Sequence, residues 1–329
     1  MSTQVLICDD SSFARKQLAR SLPAEWDIKL NFAVDGADAI SNLEKGKADV
    51  LFLDLNMPNM DGYEVLEKIR KQQFDTLVIV VSGDIQPEAY KRVMGLGAMA
   101  FIKKPGDAGD ISKILETFGL CSATSTDTKI SNLVVNINDA YQEIANIAMG
   151  QAVDLLAQLL DCFVKMPVPN VNKIEASELR MTLKQIQADA ELSAVCQGFI
   201  GSGIAGEALL IFNDSSYADI AKLLKYDETL DDAFQIELLM DISNIMIGAC
   251  LKGIADQLDI SFSQGNPVVL GRHLTIRDLL KRDSMRWKKV LTIEMGCSIE
   301  GYNVNTDLLL LFTEDSIKPL DSILKYISN

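Results

Sequence analysis

The first 120 residues alternate short apolar runs with segments of helical periodicity. The apolar runs lie at residues 4–8, 50–55, 77–81 and 100–102, and each has roughly the length of a strand. Helical patterns cover residues 35–44, 62–70 and 87–94, and an earlier amphipathic helix begins after Ser11 and Ser12. Runs that are apolar on both sides suit strands buried between two layers of helices. The pattern therefore predicts βαβ units around a parallel sheet.

A polar side chain stands where each apolar run ends. Asp9 and Asp10 follow the first run, Asp54 lies near the end of the second, Ser82 follows the third, and Lys104 follows the fourth. The carboxyl ends of parallel strands meet at one edge of a sheet, where open α/β folds bind ligands. Adjacent carboxylates repel each other unless a cation neutralises them. An ordinary Asp that opens a loop is the alternative for Asp54, but polar groups at four strand ends favour a shared site.

These spacings resemble the receiver domain of response regulators, and the resemblance covers the whole of this segment. It implies a flavodoxin-like α/β fold with a doubly wound parallel sheet of five strands. It also implies that Asp54 accepts a phosphoryl group, that Ser82 and Lys104 contact that group, and that Phe101 is a switch residue. Plain core packing is an alternative role for Phe101. Lys103 is an alternative to Lys104, although the family motif places its Lys directly before Pro.

The same resemblance implies a Mg²⁺ site. Asp10 and Asp54 would bind the ion together with the backbone carbonyl of Asn56, and Asp9 would bind it through water. Hard oxygen ligands with retained waters are what Mg²⁺ prefers.

Composition and charge narrow the function classes. The chain has 329 residues, of which 31 are basic and 46 acidic, so its net charge is −15. This charge opposes a DNA-binding output domain, and no nucleic-acid partner is expected. The apolar runs have strand length and the start lacks a basic apolar leader, so we expect no membrane insertion and a cytoplasmic location. Six scattered cysteines and one histidine, His273, predict neither a disulfide framework nor a zinc site, and His273 is expected to be an ordinary surface or loop residue.

A Ser- and Thr-rich stretch divides the chain. Residues 119–129, GLCSATSTDTK, lack apolar periodicity and predict a linker. The predicted domains are therefore a receiver at 1–120, a linker at 121–129 and a second domain at 130–329.

The second domain contains an internal repeat. Five residues recur 98 positions later with similar chemistry: Asp139, Glu143, Asn146, Gly150 and Pro169 correspond to Glu237, Asp241, Asn244, Gly248 and Pro267. The apolar runs at 206–212 and 307–312 also correspond. Two copies of about 100 residues are too few for a solenoid, so they predict one pseudo-symmetric domain.

The repeated polar residues share one face of a predicted helix. Spacings of four and three place Asp139, Glu143 and Asn146 along one stripe. The opposite side is apolar and is expected in the core: Ile144, Ile147, Ala148, Val153, Leu155 and Leu156 in the first copy, and Leu238, Leu239, Ile242 and Ile245 in the second. A polar stripe is also what a solvated helix face looks like. A mid-helix Asn in both copies is harder to explain by solvation, because Asn is a poor helix former.

This repeat resembles the CheC/CheX/FliY family of chemotaxis phosphatases. The family motif is Asp or Ser, three residues, Glu, two residues, Asn, 22 residues and Pro. The first copy matches it in full, whereas the second has Glu at the first position and Asp241 where Glu is expected. The resemblance implies a pseudo-two-fold α+β domain in which Glu143 pairs with a receiver's Lys and Asn146 orients the attacking water. Asp241 and Asn244 would do the same at a second site, where the shorter carboxylate reaches less far.

Together the two resemblances imply a phosphatase for aspartyl phosphate on a CheY-type receiver, controlled by its own receiver domain. The implied partners are a sensor histidine kinase as phosphodonor, a phosphorylated CheY-type receiver as substrate, and a CheD-like deamidase. Two alternatives remain. The second domain could be a non-catalytic module that binds a chemotaxis or flagellar partner, or it could act only on Asp54 of its own chain.

Overall fold

The computed structural model describes residues 2–120, 136–175, 191–226, 231–274 and 289–328. The chain divides into two compact units, Met1–Glu143 and Ile144–Ile327. The predicted linker at 121–129 lies outside the described residues, so the domain limits at 120 and 130 stay predictions.

The first unit is built on a five-stranded sheet. Its elements are β1 Thr3–Cys8, α1 Ser12–Ser21, β2 Ile28–Ala33, α2 Gly36–Glu44, β3 Val50–Leu53, α3 Gly62–Gln72, β4 Leu77–Ser82, α4 Pro87–Leu96, β5 Ala100–Lys103 and α5 Ala108–Thr117. The strand order is β2-β1-β3-β4-β5, and every neighbouring pair is parallel. This topology confirms the predicted doubly wound α/β fold.

Both faces of this sheet are covered. Alternate residues of one strand enter different apolar clusters: Leu51 and Leu53 lie in one, and Val50 and Phe52 lie in the other. All four side chains are fully buried, as expected of a parallel strand between two helical layers. Asp54, which follows them directly, is therefore attached to a strand that is packed on both faces.

Two features of this unit differ from the sequence pattern. Strand β2 lies at the sheet edge and was not among the predicted strands, although its apolar residues alternate with Lys29 and Asn31. Strand β3 ends at Leu53, whereas the apolar run continues to Leu55. The Leu55 carbonyl accepts a hydrogen bond from the amide of Gly62, so at that point the backbone bonds to the start of α3.

The second unit repeats one order of elements. The first copy has α6 Ile137–Leu160, which begins in the first unit, then β6 Val164–Lys165, β7 Asn170–Glu175, β8 Leu192–Gly201, β9 Ile204–Asn213 and α7 Ser216–Leu223. The second copy has α8 Asp232–Leu258, β10 Ser263–Gln264, β11 Val268–Leu274, β12 Lys289–Ile299, β13 Asn305–Thr313 and α9 Glu314–Ser328. Each copy thus runs helix, four strands, helix among the described residues.

A pseudo-two-fold relation joins the two copies. The central strands β9 and β13 pair antiparallel, with Leu209 opposite Leu309. Strand β8 adjoins β9 and strand β12 adjoins β13. The short strands then cross over: β10 and β11 pair with β8, while β6 and β7 pair with β12. Each copy completes the sheet of the other, which confirms the predicted α+β pseudo-two-fold fold.

The long helices α6 and α8 contact each other in the second unit. A Cβ atom added at Gly253 of α8 would lie 2.8 Å from the Cα atom of Ala148. Close by, the Gln257 amide donates a 3.0 Å hydrogen bond to the carbonyl of Ile144. Each helix carries one copy of the repeated motif, so this packing holds together the two helices that present the motifs.

The predicted core of α6 and α8 is mostly confirmed. The expected residues are buried except Leu155 and Ile245: Ile144, Ile147, Ala148, Val153, Leu156, Leu238, Leu239 and Ile242. Leu155 is 47% exposed, so its prediction as a core residue was wrong. Leu155, Gln158 and Leu159 are all exposed, and spacings of three and four place them together on the solvent face of α6. Ile245 is half-buried.

Helix α8 is also apolar for its length. Among the described residues it alone is long and apolar enough to cross a membrane by length and composition, and 61% of the relevant window is buried inside the protein. The burial accounts for the apolar composition, because the side chains pack against β8 and β9.

We predict that Gly253→Ala destabilises the second unit by about 1–3 kcal/mol, because the new methyl group overlaps the backbone of α6. Urea unfolding of the full chain, followed by far-ultraviolet circular dichroism, measures the change. Gly248→Ala is the matched control in the same helix, since a Cβ there meets nothing within 4 Å. It should stabilise α8 by roughly 0.5–1 kcal/mol through helix propensity. Equal effects at the two positions would contradict the packing explanation.

Candidate functional site

The predicted polar residues of the first unit converge at the carboxyl edge of its sheet. Asp9 follows β1, Asp54 follows β3, Ser82 ends β4 and Lys104 follows β5. The Lys104 ammonium lies 2.6 Å from Asp9 Oδ2 and 3.0 Å from Asp54 Oδ1. All four residues are buried. The parallel register brings them together, because neighbouring strands end at the same level.

Backbone groups hold the carboxylates in place. The amide of Asn56 donates a 3.1 Å hydrogen bond to Asp54 Oδ2. The amide of Ser11 donates to Asp9 Oδ1 at 2.8 Å, and the Ser11 hydroxyl caps α1 by accepting from Ala14. Ser82 Oγ accepts a 3.1 Å hydrogen bond from the amide of Asp84. These hydrogen bonds fix the orientations of the Asp54, Asp9 and Ser82 side chains.

Three carboxylates form a group that could hold a cation. One oxygen each from Asp9, Asp10 and Asp54 lies within 4.8 Å of the others. Nearby, the Arg15 guanidinium donates hydrogen bonds to the backbone carbonyls of Asp9 and Asp10. Carboxylate oxygens in this number suit a hard divalent cation such as Mg²⁺.

Burial makes the ionised forms of these carboxylates energetically unfavourable. Desolvation, reinforced by Asp9, raises the pKa of Asp10 to about 6. Desolvation also raises the pKa of Asp54 well above its usual range, although the ammonium of Lys104 opposes the shift. For Lys104 itself, burial would lower the pKa, but the surrounding carboxylates outweigh it and the pKa is raised. The single Lys104 ammonium therefore does not neutralise the negative charge of all these carboxylates. A bound cation would reduce the repulsion that remains between them.

The first turns of α6 belong to the same compact unit and add a fourth carboxylate. Glu143 Oε1 lies 3.2 Å from the Lys104 ammonium, and its side chain is 4% exposed. Desolvation raises the pKa of Glu143 to about 7, against the opposing effect of Lys104. The structure thus brings together Lys104, Asp54 and Glu143, which sequence analysis assigned to two different motifs.

Two neighbouring side chains of α6 contact the same edge of the first unit. Asp139 Oδ2 accepts a 2.5 Å hydrogen bond from the hydroxyl of Ser12. The amide of Gln142 donates a 3.1 Å hydrogen bond to Asp10 Oδ2. Neither Gln142 nor Ser12 was among the predicted site residues. Gln142 lies three residues after Asp139, and that helical spacing is the signal that could have found it.

The remaining predicted residues lie in different environments. Asn146, three residues after Glu143 on α6, is buried. Glu237, Asp241 and Asn244 form an exposed stripe on α8. Phe101 is half-buried, packs against the core and meets Tyr90 edge to face at 5.9 Å. Its contacts suit both the switch role and plain packing, so its function stays a prediction.

His273 is exposed, as expected from the sequence. It lies on strand β11, and its Nδ1 atom is 2.8 Å from Asp214 Oδ2. One side-chain atom each from Glu191, Asp214 and His273 lies within 4.8 Å of the others, a second group that could hold a metal. The Arg272 guanidinium lies 3.3 Å from His273 Nε2 and opposes a cation there. The described cysteines form no disulfide.

Comparison with known proteins finds a family match in each half of the chain. Residues 5–116 match the response regulator receiver domain family, and residues 137–172 match the CheC-like family. The chemotaxis protein CheY of Treponema pallidum is 37% identical over 118 residues, which are 34% of this chain and 78% of that protein. Protein-glutamate methylesterase/protein-glutamine glutaminase 2 of Koribacter versatilis is 38% identical over 112 residues, which are 33% of this chain and 31% of that protein.

A solved structure is also similar. The crystal structure of Thermotoga maritima FliY aligns with 58% of this chain and 96% of its own, at 21% identity and a TM-score of 0.44. The first unit has the parallel sheet and the converging carboxylates of a receiver. The chain therefore belongs to the response regulator family, with a receiver domain joined to a CheC-like segment.

Proposed function

We propose that this chain is a chemotaxis response regulator that is phosphorylated on Asp54 and hydrolyses aspartyl phosphate on a CheY-type receiver. The combination of a receiver domain with a CheC-like segment supports the first part. One contact supports the second part: Glu143, from the CheC-like motif, lies 3.2 Å from the receiver residue Lys104. A pairing between this Glu and a receiver Lys is what the CheC/CheX/FliY resemblance requires.

Phosphorylation would use the groups around Asp54. Its carboxylate oxygen would attack phosphorus, and Lys104 and Ser82 would stabilise the charge on the transferring group. Asp9, Asp10 and Asp54, with the carbonyl of Asn56, would hold Mg²⁺. The bound ion supplies positive charge next to the phosphoryl oxygens. A sensor histidine kinase is the proposed phosphodonor.

Hydrolysis needs a water molecule placed in line with the phosphorus–oxygen bond. Glu143 would fix the receiver's Lys, and Asn146 would orient the water. An amide can hold water through both a donor and an acceptor and does not titrate. Positioning of this kind is effective, because phosphoryl transfer depends more on alignment than on covalent help from the enzyme.

The receiver is also the proposed control element. Phosphorylation at Asp54 would shift the receiver between two states, and Phe101 would pass the change to the surface of the unit. A CheD-like deamidase is a further proposed partner, and the proposed location is the cytoplasm.

The second motif favours a second candidate function, the binding of a protein partner. On α8, Glu237 and Asp241 line an open cleft of about 340 Å³ beside the stacked rings of Tyr226 and Phe234. Asp241 is one methylene shorter than the expected Glu, so its reach to a Lys is reduced. Exposed acids beside half-buried aromatic rings, with a weakened motif, suit docking better than catalysis.

We predict that Asn146→Ala combined with Asn244→Ala slows phosphate release from a phosphorylated CheY-type receiver and from phospho-Asp54 by roughly 10- to 100-fold, because the water loses its alignment. Radiolabelled phosphate, loaded from a small phosphodonor, gives the decay rate for both substrates. Asn138→Ala is the matched control, an exposed amide on the same helix, and it should decay like the wild type. If the double variant keeps the wild-type rate on both substrates, the chain is a docking protein.

A second prediction concerns the metal. In EDTA, Asp10→Asn should stabilise the chain by about 1–2 kcal/mol, because a carboxylate whose folded-state pKa is raised resists ionisation at neutral pH. Saturating Mg²⁺ should stabilise the wild type by about 2–3 kcal/mol and the variant by clearly less. Urea unfolding with and without Mg²⁺ measures both effects.

Asp75→Asn serves as the charge control, since Asp75 is exposed and remote in sequence from the carboxylate group. It should leave the Mg²⁺ response unchanged. An equal Mg²⁺ response in all three proteins would show that the three carboxylates do not hold the ion.

A further inference from the structure

The start of α6 is held against the receiver's own phosphorylation site. Three consecutive contacts run along residues 139–143: Asp139 to the Ser12 hydroxyl at 2.5 Å, Gln142 to Asp10 at 3.1 Å, and Glu143 to Lys104 at 3.2 Å. The partners on the receiver side follow strands β1 and β5. All of these residues belong to the first compact unit.

Glu143 therefore already forms an ion pair with a Lys of its own chain. Its side chain is 4% exposed and that of Lys104 is 5% exposed. A second receiver molecule could pair its own Lys with Glu143 only after this ion pair and the flanking hydrogen bonds had broken. Breaking them would leave the Lys104 ammonium with one carboxylate fewer in a desolvated site, which is costly.

The second copy of the motif lies in the opposite situation. Glu237 and Asp241 are exposed on α8, and neither carboxylate forms a salt bridge with a Lys or Arg among the residues that the structure describes. The two copies therefore differ in access although their spacing is the same. Within the described ranges, the first copy contacts a receiver Lys and the second copy does not.

Covalent linkage strengthens this preference. A segment tethered to its target has an effective concentration on the order of millimolar when the geometry permits contact. A separate receiver at roughly micromolar concentration would compete poorly with it. The contacts at Asp139, Gln142 and Glu143 indicate that the geometry does permit contact.

From these contacts we propose, resting on the phosphatase function proposed above, that the substrate of the Glu143 motif is the phosphorylated Asp54 of the same chain. Water attacks the phosphorus atom, and the bond between phosphorus and the Asp54 oxygen breaks. The products are the free Asp54 carboxylate, inorganic phosphate and one proton, which passes to phosphate or solvent. The chain thereby limits the lifetime of its own signal.

A mixing experiment with two full-length variants tests this substrate assignment. Glu143→Ala keeps Asp54 and can be labelled, but its motif is broken. Asp54→Asn cannot be labelled, but its motif is intact. Labelled Glu143→Ala should lose phosphate roughly tenfold more slowly than the wild type, and excess Asp54→Asn should not restore the rate. The wild-type rate constant should also stay the same on 100-fold dilution.

Different results overturn different parts of the proposal. If Asp54→Asn restores the decay, Glu143 acts between molecules, and the phosphatase function stands without the intramolecular substrate. If wild type and Glu143→Ala decay equally on Asp54 and on a separate receiver, the phosphatase function itself is lost. If Glu143→Ala is labelled faster but decays at the wild-type rate, Glu143 merely covers the site and the proposal is wrong.

Two further variants separate catalysis from folding. Glu143→Gln preserves shape and removes the charge, so it should decay as slowly as Glu143→Ala. Glu116→Ala removes an exposed acid from α5 and should decay like the wild type. A wild-type rate for Glu143→Gln would show that packing, and not the carboxylate, affects the decay.

Discussion

A single buried ammonium group organises this protein. Lys104 lies within 3.2 Å of carboxylate oxygens from Asp9, Asp54 and Glu143, and Asp10 is close by. Two unit charges 4 Å apart attract by about 4 kcal/mol at an effective dielectric constant of 20, whereas burying an ion costs several kcal/mol. Four acids around one Lys therefore remain under-compensated. That imbalance makes the edge of the sheet receptive to a divalent cation, and it raises the pKa of Asp10, Asp54 and Glu143.

The same Lys connects the two families found in this chain. Asp54 and Lys104 come from the receiver, while Glu143 comes from the CheC-like motif. Because α6 is continuous from Ile137 to Leu160, the helix that carries the first motif begins in the receiver's compact unit. Phosphorylation of Asp54 and hydrolysis of the resulting phosphate are therefore proposed to use the same ammonium group. The second motif has no such partner among the described residues and faces solvent on α8.

Much of the fold follows from periodicity. Strands β1, β3, β4 and β5 were predicted because they are apolar on both sides. A strand that is covered on both faces has to bury nearly all of its side chains, so it appears in the sequence as a continuous apolar run. Edge strand β2 escaped prediction because a partly exposed strand of six residues carries only a short alternating signal. The repeat predicted the pseudo-two-fold domain, but the crossing of the short strands between the copies required the sheet pairings. Leu155 was misplaced because it lies on the solvent face of α6 with Gln158 and Leu159.

The amino-acid sequence by itself determined which chemical groups are present and at what spacing: acids, hydroxyl and ammonium at strand ends, and a Glu–Asn pair on two helices. Local geometry is sufficient for this, since strand and helix periods are properties of neighbouring residues. Only the tertiary structure decided that Glu143 reaches Lys104, 39 positions away, while Asp241 meets solvent. Identical spacing cannot distinguish these two outcomes, because burial and ion pairing depend on what folds against each helix.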